Sequence, residues 1–235
     1  MWKQISKLFQ RQRSSGSERP PHLRQKKVDP SHIGDLGEFK LDVQLRQMPR
    51  DYRYLNDVFI VNKRSRTGYA QIDHILITRS GIFVIETKNY QGTIKGSRDD
   101  TKWMVNGKRT MYNPVRQNRT HINALKSVLA EYKTVPFISL ISFTKRCSLY
   151  IDPELREVAS NEVVVFDIKF SEFVERKIHQ LKRITPEAPL SCEDVLTIFD
   201  RIQQANVSDQ RKRDEHIQKI NDMKSSSKPL GTVRK

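Results

Sequence analysis

The stretch QIDHILITRSGIFVIETK, residues 71–88, constrains the fold of this chain more than any other segment. Two runs dense in Ile, Leu, Val and Phe are separated only by Arg79, Ser80 and Gly81, and such residues suit the pleated surface of a sheet. The spacing predicts a tight antiparallel hairpin. In its second arm alternate side chains face opposite ways, so Glu86 and Lys88 share one face and Thr87 takes the other. A turn on Ser80-Gly81 pairs Arg79 with Ile82. It sets Asp73 opposite Lys88 and on the diagonal from Glu86, with all three on one face. A one-residue change of register would send Asp73 to the other face.

The hairpin sits within a longer alternation of elements. SHIGDLGEFKLDVQLRQM, from Ser31 to just before Pro49, has helical spacing at Leu36, Phe39 and Val43. NDVFIVNK reads as a strand before the hairpin. After the Gly- and charge-rich connection QGTIKGSRDD and a strand around TKWMVN, the segment NPVRQNRTHINALKSVLAEY places Val115, Ile122, Leu125, Val128 and Leu129 at helical spacing. Asn113-Pro114 opens that helix, with Pro in the first turn, where its missing N–H costs least. VPFISLISF and EVVVFDI are strand-like, KFSEFVERKIHQL is helical, and Ser191 with Asp194 forms a capping-box start to CEDVLTIFDRIQQ. The order predicts an α/β fold, a mixed β-sheet flanked by helices. No internal repeat is present.

Charge divides the chain further. The formal net charge is +16 and the pI about 9.9. Residues 1–30 hold eight Lys/Arg against two acids and residues 208–235 eight against four, so the ends carry most of the excess. Clustered Lys and Arg favour a polyanionic partner, because they release the counterions condensed on nucleic acid. Residues 1–30 read as a basic flexible arm, 31–205 as the folded domain with its C-terminal helices, and 206–235 as a basic, disordered tail. Within residues 1–13, Trp2, Ile5, Leu8 and Phe9 could share a helical face suited to an anionic membrane surface; a solvated tail is the plainer reading. No apolar run of membrane-spanning length and no secretory signal is evident, so a cytoplasmic protein is expected. Cys147 and Cys192 belong to no Cys-x-x-Cys pair and read as ordinary reduced thiols.

Two carboxylates converging on a sheet surface beside a lysine make an oxygen-ligand site suited to Mg²⁺, with Mn²⁺ as an alternative. Such an ion activates water and stabilises charge growing on a phosphoryl group, while Lys88 orients the attacking water. Glu-x-Lys by itself is far more often a solvated strand end or an ion pair. Asp73 at a matching hairpin position strengthens the metal reading, since an unpartnered Asp in the apolar IDHILI run would be costly.

The string QIDHILITRSGIFVIETKNYQGTI, preceded by GDLGE and followed by Trp103 and then NPVRQN, resembles the nuclease-related domain called NERD, a branch of the PD-(D/E)XK nuclease superfamily. The resemblance covers roughly Gly34 to Leu129. It implies a restriction-endonuclease-like core with Asp73, Glu86 and Lys88 at the metal-binding and catalytic positions. It also suggests Glu38, on the first helix, as a carboxylate over the site, and Gln117, on the later helix, as a polar residue pointing into it. The superfamily's nominal proline before the aspartate is replaced by Ile72. Gln71 either lines the site with Asp73 or is a half-buried strand amide, and His74 points to the opposite face. Trp103 is either a core residue or a base-stacking platform, and a lone Trp near an apolar strand favours the core. The expectation is a metal-dependent nuclease acting on nucleic acid, DNA first. The alternative is a catalytically inactive nucleic-acid-binding or membrane-surface module on the same fold.

Overall fold

The computed structural model describes residues 30–226, with side chains from residue 37 to residue 223. The expectations for the N-terminal arm, including its membrane-binding face, lie outside the described residues. Five strands, β1 (Arg53–Val61), β2 (Tyr69–Thr78), β3 (Gly81–Lys88), β7 (Phe137–Phe143) and β9 (Glu162–Phe166), form one sheet in the order β1-β2-β3-β7-β9. The first three are an antiparallel meander, whereas β3–β7 and β7–β9 are parallel, so the sheet is mixed. One face buries Ile82 and Val84 under α2 (Pro114–Val128) and α4 (Cys192–Ala205). The other buries Phe83 and Ile85 under α1 (Pro30–Arg46) and α3 (Phe170–Ile184). This is the restriction-endonuclease-like α/β sandwich.

The hairpin register differs from the expectation. Thr78 pairs with Gly81 and His74 with Ile85, so the turn is Arg79-Ser80 and the ladder points Asp73 at Glu86 rather than at Lys88. The cause lies at Gly81. A Cβ there would stand 2.8 Å from Pro136 O, and Ile82 N–H donates to that same carbonyl at 2.9 Å. Gly81 is therefore used for close packing in the strand, not for the turn. The Thr78 hydroxyl holds the turn, donating to Gly81 O at 2.9 Å and accepting from Ser80 N–H at 3.2 Å. Moving the turn by one residue moves the pairing by two and so keeps the parity of the ladder from Thr78 to His74.

A second sheet was not legible in the sequence. The connection after Lys88 forms β4 (Gly92–Gly96), and together with β5 (Lys102–Val105), β6 (Arg109–Tyr112) and β8 (Cys147–Ile151) it makes a sheet in the order β6-β5-β4-β8. Its strands are four or five residues long and only alternate positions are apolar, too weak a pattern to stand out. Parallel pairing links the two sheets. Ile82 pairs with Phe137, Lys88 with Phe143, Gly92 with Cys147 and Gly96 with Ile151, so the sequence separation of partners never changes across the gap. Thr144 N–H to Lys88 O and Gly92 N–H to Arg146 O, both 3.1 Å, carry the pairing through the bend.

Trp103 packs inside the second sheet, fully buried, with its indole N–H donating to Ser97 O at 2.9 Å. Its ring lies 6.3 Å from that of Phe143, which identifies it as a core residue. Gly96 makes room for it, since a Cβ at that position would sit 2.2 Å from the indole. Helix α2 is anchored at the same place. Asn113, wholly buried, accepts from Val115 N–H at 2.9 Å and turns its amide nitrogen to the carbonyls of Ser97, Arg98 and Asp100.

Residues 206–226 also differ from the expected disordered tail, because Gln210–Ser226 forms a helix, α5. Gln210–Asp214 and Gln218–Asp222 hydrogen bonds, both 2.9 Å, each span one turn of it and favour helix despite the charge. The helix is tied to β1, where Arg213 donates to Asp57 Oδ2 at 2.8 Å and His216 packs edge-on against Phe59. Gly96→Ala is expected to lower stability by about 1–3 kcal/mol through forced displacement of Trp103. Urea denaturation followed by tryptophan fluorescence measures it; unchanged stability would contradict this packing.

Candidate active site

Past the His74–Ile85 pair the antiparallel ladder stops and a side chain takes over. Asp73 Oδ2 accepts from both the backbone N–H and the hydroxyl of Thr87, each at 2.7 Å, in the place where a β2 carbonyl would otherwise bond. Asp73 Oδ1 accepts no hydrogen bond among the described residues. Glu86, only 2 % exposed, holds Lys88 Nζ on Oε1 at 2.5 Å and the amide of Gln117 on the same oxygen at 2.8 Å. Lys88 Nζ also donates to Gln117 Oε1 at 3.2 Å, closing a three-residue ring. Glu86 Oε2 is buried with no partner.

The electrostatics follow from this crowding. Burial pushes the Asp73 carboxyl up, and the charge of Glu86 adds to the push, against Lys88 and the Thr87 donors. Burial works against the charge of Lys88, yet Glu86 and Asp73 outweigh it and hold the ammonium above its ordinary value. Lys88 is thus a permanent cation at neutral pH.

Three residues that sequence reasoning missed belong to this neighbourhood. His121 lies one helical turn beyond Gln117, a spacing that puts both on one face of α2, and its Nδ1 stands 3.5 Å from Glu86 Oε2 with neither atom in a hydrogen bond. Burial, with Lys88 and His216 pushing the same way against Asp73, brings the imidazole down to about 4. Thr87 was expected only on the opposite face, but its backbone places the N–H in the sheet plane, where the Asp73 carboxylate reaches it.

Asp57, across β1 from Asp73, has a left-handed backbone, φ 48°, and is held by Gln71 at 2.8 Å as well as by Arg213. It interrupts the pleat. Ile72 and Ile75, which strict alternation assigns to opposite faces, join one core cluster. Gln71 is thus exposed and serves Asp57 rather than the carboxylates.

Of the remaining candidates, His74 is buried on the other side, its Nδ1 2.8 Å from Asn56 Oδ1, with Asn56 passing the contact on to Asp42. Glu38 lies exposed on α1. Its neighbour Gly37 packs beside Asn89 and Thr144, at the bend that follows Lys88. Gln117 is brought fully into the site, and Asn118 beside it secures the helix by donating to Val84 O at 2.8 Å.

The central hairpin of the α/β sandwich thus carries two carboxylates and a lysine. Residues 33–144 match the family model of NERD, the nuclease-related domain, so this region of the chain is similar to that family. An uncharacterized protein of Bacillus anthracis is 29% identical over 196 residues, covering 82% of this chain and 85% of that protein. The likeness therefore extends beyond the nuclease-related segment. No solved structure is significantly similar to the chain. Among the described residues no helix is long and apolar enough to cross a membrane.

The neutral, buried His121 sets a pH dependence. Its folded value of about 4 lies below the ordinary value of 6.5, so its contribution to stability is fully present above pH 6.5 and is lost as pH falls toward 4. His121→Asn is expected to flatten the stability profile over that window in denaturation at stepped pH. Separately, Asp57→Val is expected to cost about 1–2 kcal/mol more than Asp57→Asn, because a β-branched residue resists positive φ while Asn tolerates it. Equal losses would show that the strain is of no account.

Proposed function

We propose that the domain is a working Mg²⁺-dependent nuclease that hydrolyses phosphodiester bonds of nucleic acid, DNA in the first instance. The observation that carries the reading is a buried oxygen without a hydrogen-bond partner, Glu86 Oε2, on the same hairpin as Asp73, whose Oδ2 is the oxygen taken up by Thr87. A buried acceptor without a donor is costly, and a hard cation with oxygen ligands relieves that cost. Two carboxylates suit Mg²⁺, which keeps several waters. Among the described residues no group of three or more His, Cys, Asp or Glu could hold a metal, which disfavours a closed zinc centre.

When bound, the ion supplies an activated water and neutralises charge on the phosphoryl oxygens. The chain's own groups do the rest. Asp73, raised by burial and by Glu86, would gain from a cation that offsets this repulsion. Thr87 fixes its second oxygen and so aims the first. Lys88 is held protonated by Glu86 and Asp73, so it acts as an electrostatic and orienting group for the attacking water and the developing phosphoryl charge, not as a base. Gln117 bridges Glu86 and Lys88 and keeps both in one rotamer. Glu38, on a helix seated at the bend after Lys88, is assigned an outer role over the same site. The basic composition supplies phosphate contacts.

Cleavage of labelled single- and double-stranded DNA and RNA, with Mg²⁺ or Mn²⁺ and with chelator, tests the reading. Asp73→Asn, Glu86→Gln and Lys88→Met are each expected to reduce cleavage by roughly a hundredfold or more, and Gln117→Ala by about tenfold. Circular dichroism checks that each variant is folded. No cleavage of any substrate by the intact chain, or undiminished cleavage by Asp73→Asn, would sink it.

A further inference from the structure

The outer face of the second sheet is unlike an ordinary solvated surface. Its inner face is spent on the core, with Ile94, Trp103, Val105, Met111 and Cys147 packed against Val115 and Phe143. The alternate residues point away from that core and no described residue covers them. Tyr150 on one edge strand is 63 % exposed, Tyr112 on the other edge 51 %, and Met104 between them 40 %. Lys95 and Lys102 stand exposed on the two central strands. The pairing is explicit: Tyr150 lies beside Lys95, Lys95 beside Met104, and Tyr112 beside Lys102. Lys95 Nζ lies 5.5 Å from the centre of the Tyr150 ring.

An open depression of about 440 Å³ runs over this face. The two acids on its margin are engaged by the backbone, Asp100 by Ser97 N–H at 2.7 Å and Asp152 by Arg98 N–H at 2.6 Å. Both acids thus sit at the margin, while the charged side chains on the sheet face itself are Lys95 and Lys102. Aromatic rings with free edges, interleaved with lysines on a flat sheet, combine a stacking surface for bases with counter-charges for a phosphate backbone. Rigid duplex offers its bases no such access, because they are already stacked. From these residues we infer that the face formed by Tyr112, Tyr150, Met104, Lys95 and Lys102 binds single-stranded nucleic acid, with bases on the tyrosines and phosphates on the lysines. The Lys95 ammonium, on a flexible stem, turns from the ring to phosphate as a base arrives.

This inference deepens the nucleic-acid reading of the hairpin site and rests on it. The probe is a labelled oligothymidylate of about 20 nucleotides, long enough to cross the sheet, bound to the full chain in chelator and followed by fluorescence anisotropy. Tyr112→Ala and Tyr150→Ala are each expected to weaken binding by about 5- to 100-fold, while Tyr150→Phe, which keeps the ring, stays near the unaltered chain. Lys95→Gln and Lys102→Gln should each reduce the slope of log affinity against log salt by about 0.7. Binding of a duplex of equal length should be much less sensitive to either tyrosine. Single-strand affinity unchanged by both Tyr→Ala variants, or no single-strand binding by the intact chain, overturns the inference. Metal-dependent cleavage is scored separately. Its absence beside tyrosine-dependent binding removes the nuclease reading alone, and its presence beside tyrosine-independent binding removes this inference alone.

Discussion

The bond between Asp73 and Thr87 is the constraint from which the site derives. A sheet strand ordinarily satisfies its neighbour with backbone carbonyls, and a side chain that substitutes for one must be short, charged and fixed in place. Asp73 meets that requirement with two donors from one residue. The consequence is that its second oxygen cannot swing away to solvent or fold back on the backbone. Glu86 is immobilised by different means, through Lys88 and Gln117 on a single oxygen. Each carboxylate is therefore half used for structure and half left over, a division that makes a rigid site from ordinary residues.

How much of this the sequence carried depends on which forces set each feature. The hairpin and the shared face of Glu86 and Lys88 were legible because strand periodicity and a short connection are local signals. The register was misplaced by two because β3 is apolar on both faces. Hydrophobic patterning then cannot choose a register, and the choice fell to Gly81 packing on Pro136, a residue more than fifty positions away. His121 was missed although its spacing from Gln117 was visible, since a helix face becomes informative only when one knows what lies under it. The second sheet and α5 depended on tertiary partners: Trp103 beneath Gly96, and Asp57 for Arg213. Glu38 and Gln117 came only through the family resemblance, and Gln117 is hydrogen-bonded to both Glu86 and Lys88.

Asp57 and α5 connect the chain's end to its chemistry. The left-handed residue sits across β1 from Asp73, and its carboxylate is the attachment point for Arg213. Val207 N–H, donating to Phe59 O at 2.7 Å, brings the chain alongside β1 just before that helix. His216 then reaches in far enough to influence His121. A segment whose composition reads as a solvated tail is thus packed against β1.

The parallel ribbon of β3–β4 with β7–β8 has a geometric consequence. Because the partner offset is preserved through the bend, the two sheets are leaves of a single folded strip, not separate modules joined by loops. Flexing one leaf against the other would require breaking the hydrogen bonds at Lys88 and Arg146 together. The strip therefore behaves as a ruler. Whatever is gripped on the outer leaf stands at a fixed remove from the carboxylates on the inner one, and a residue added to one arm of the bend would disturb that spacing unless its neighbour lengthened as well.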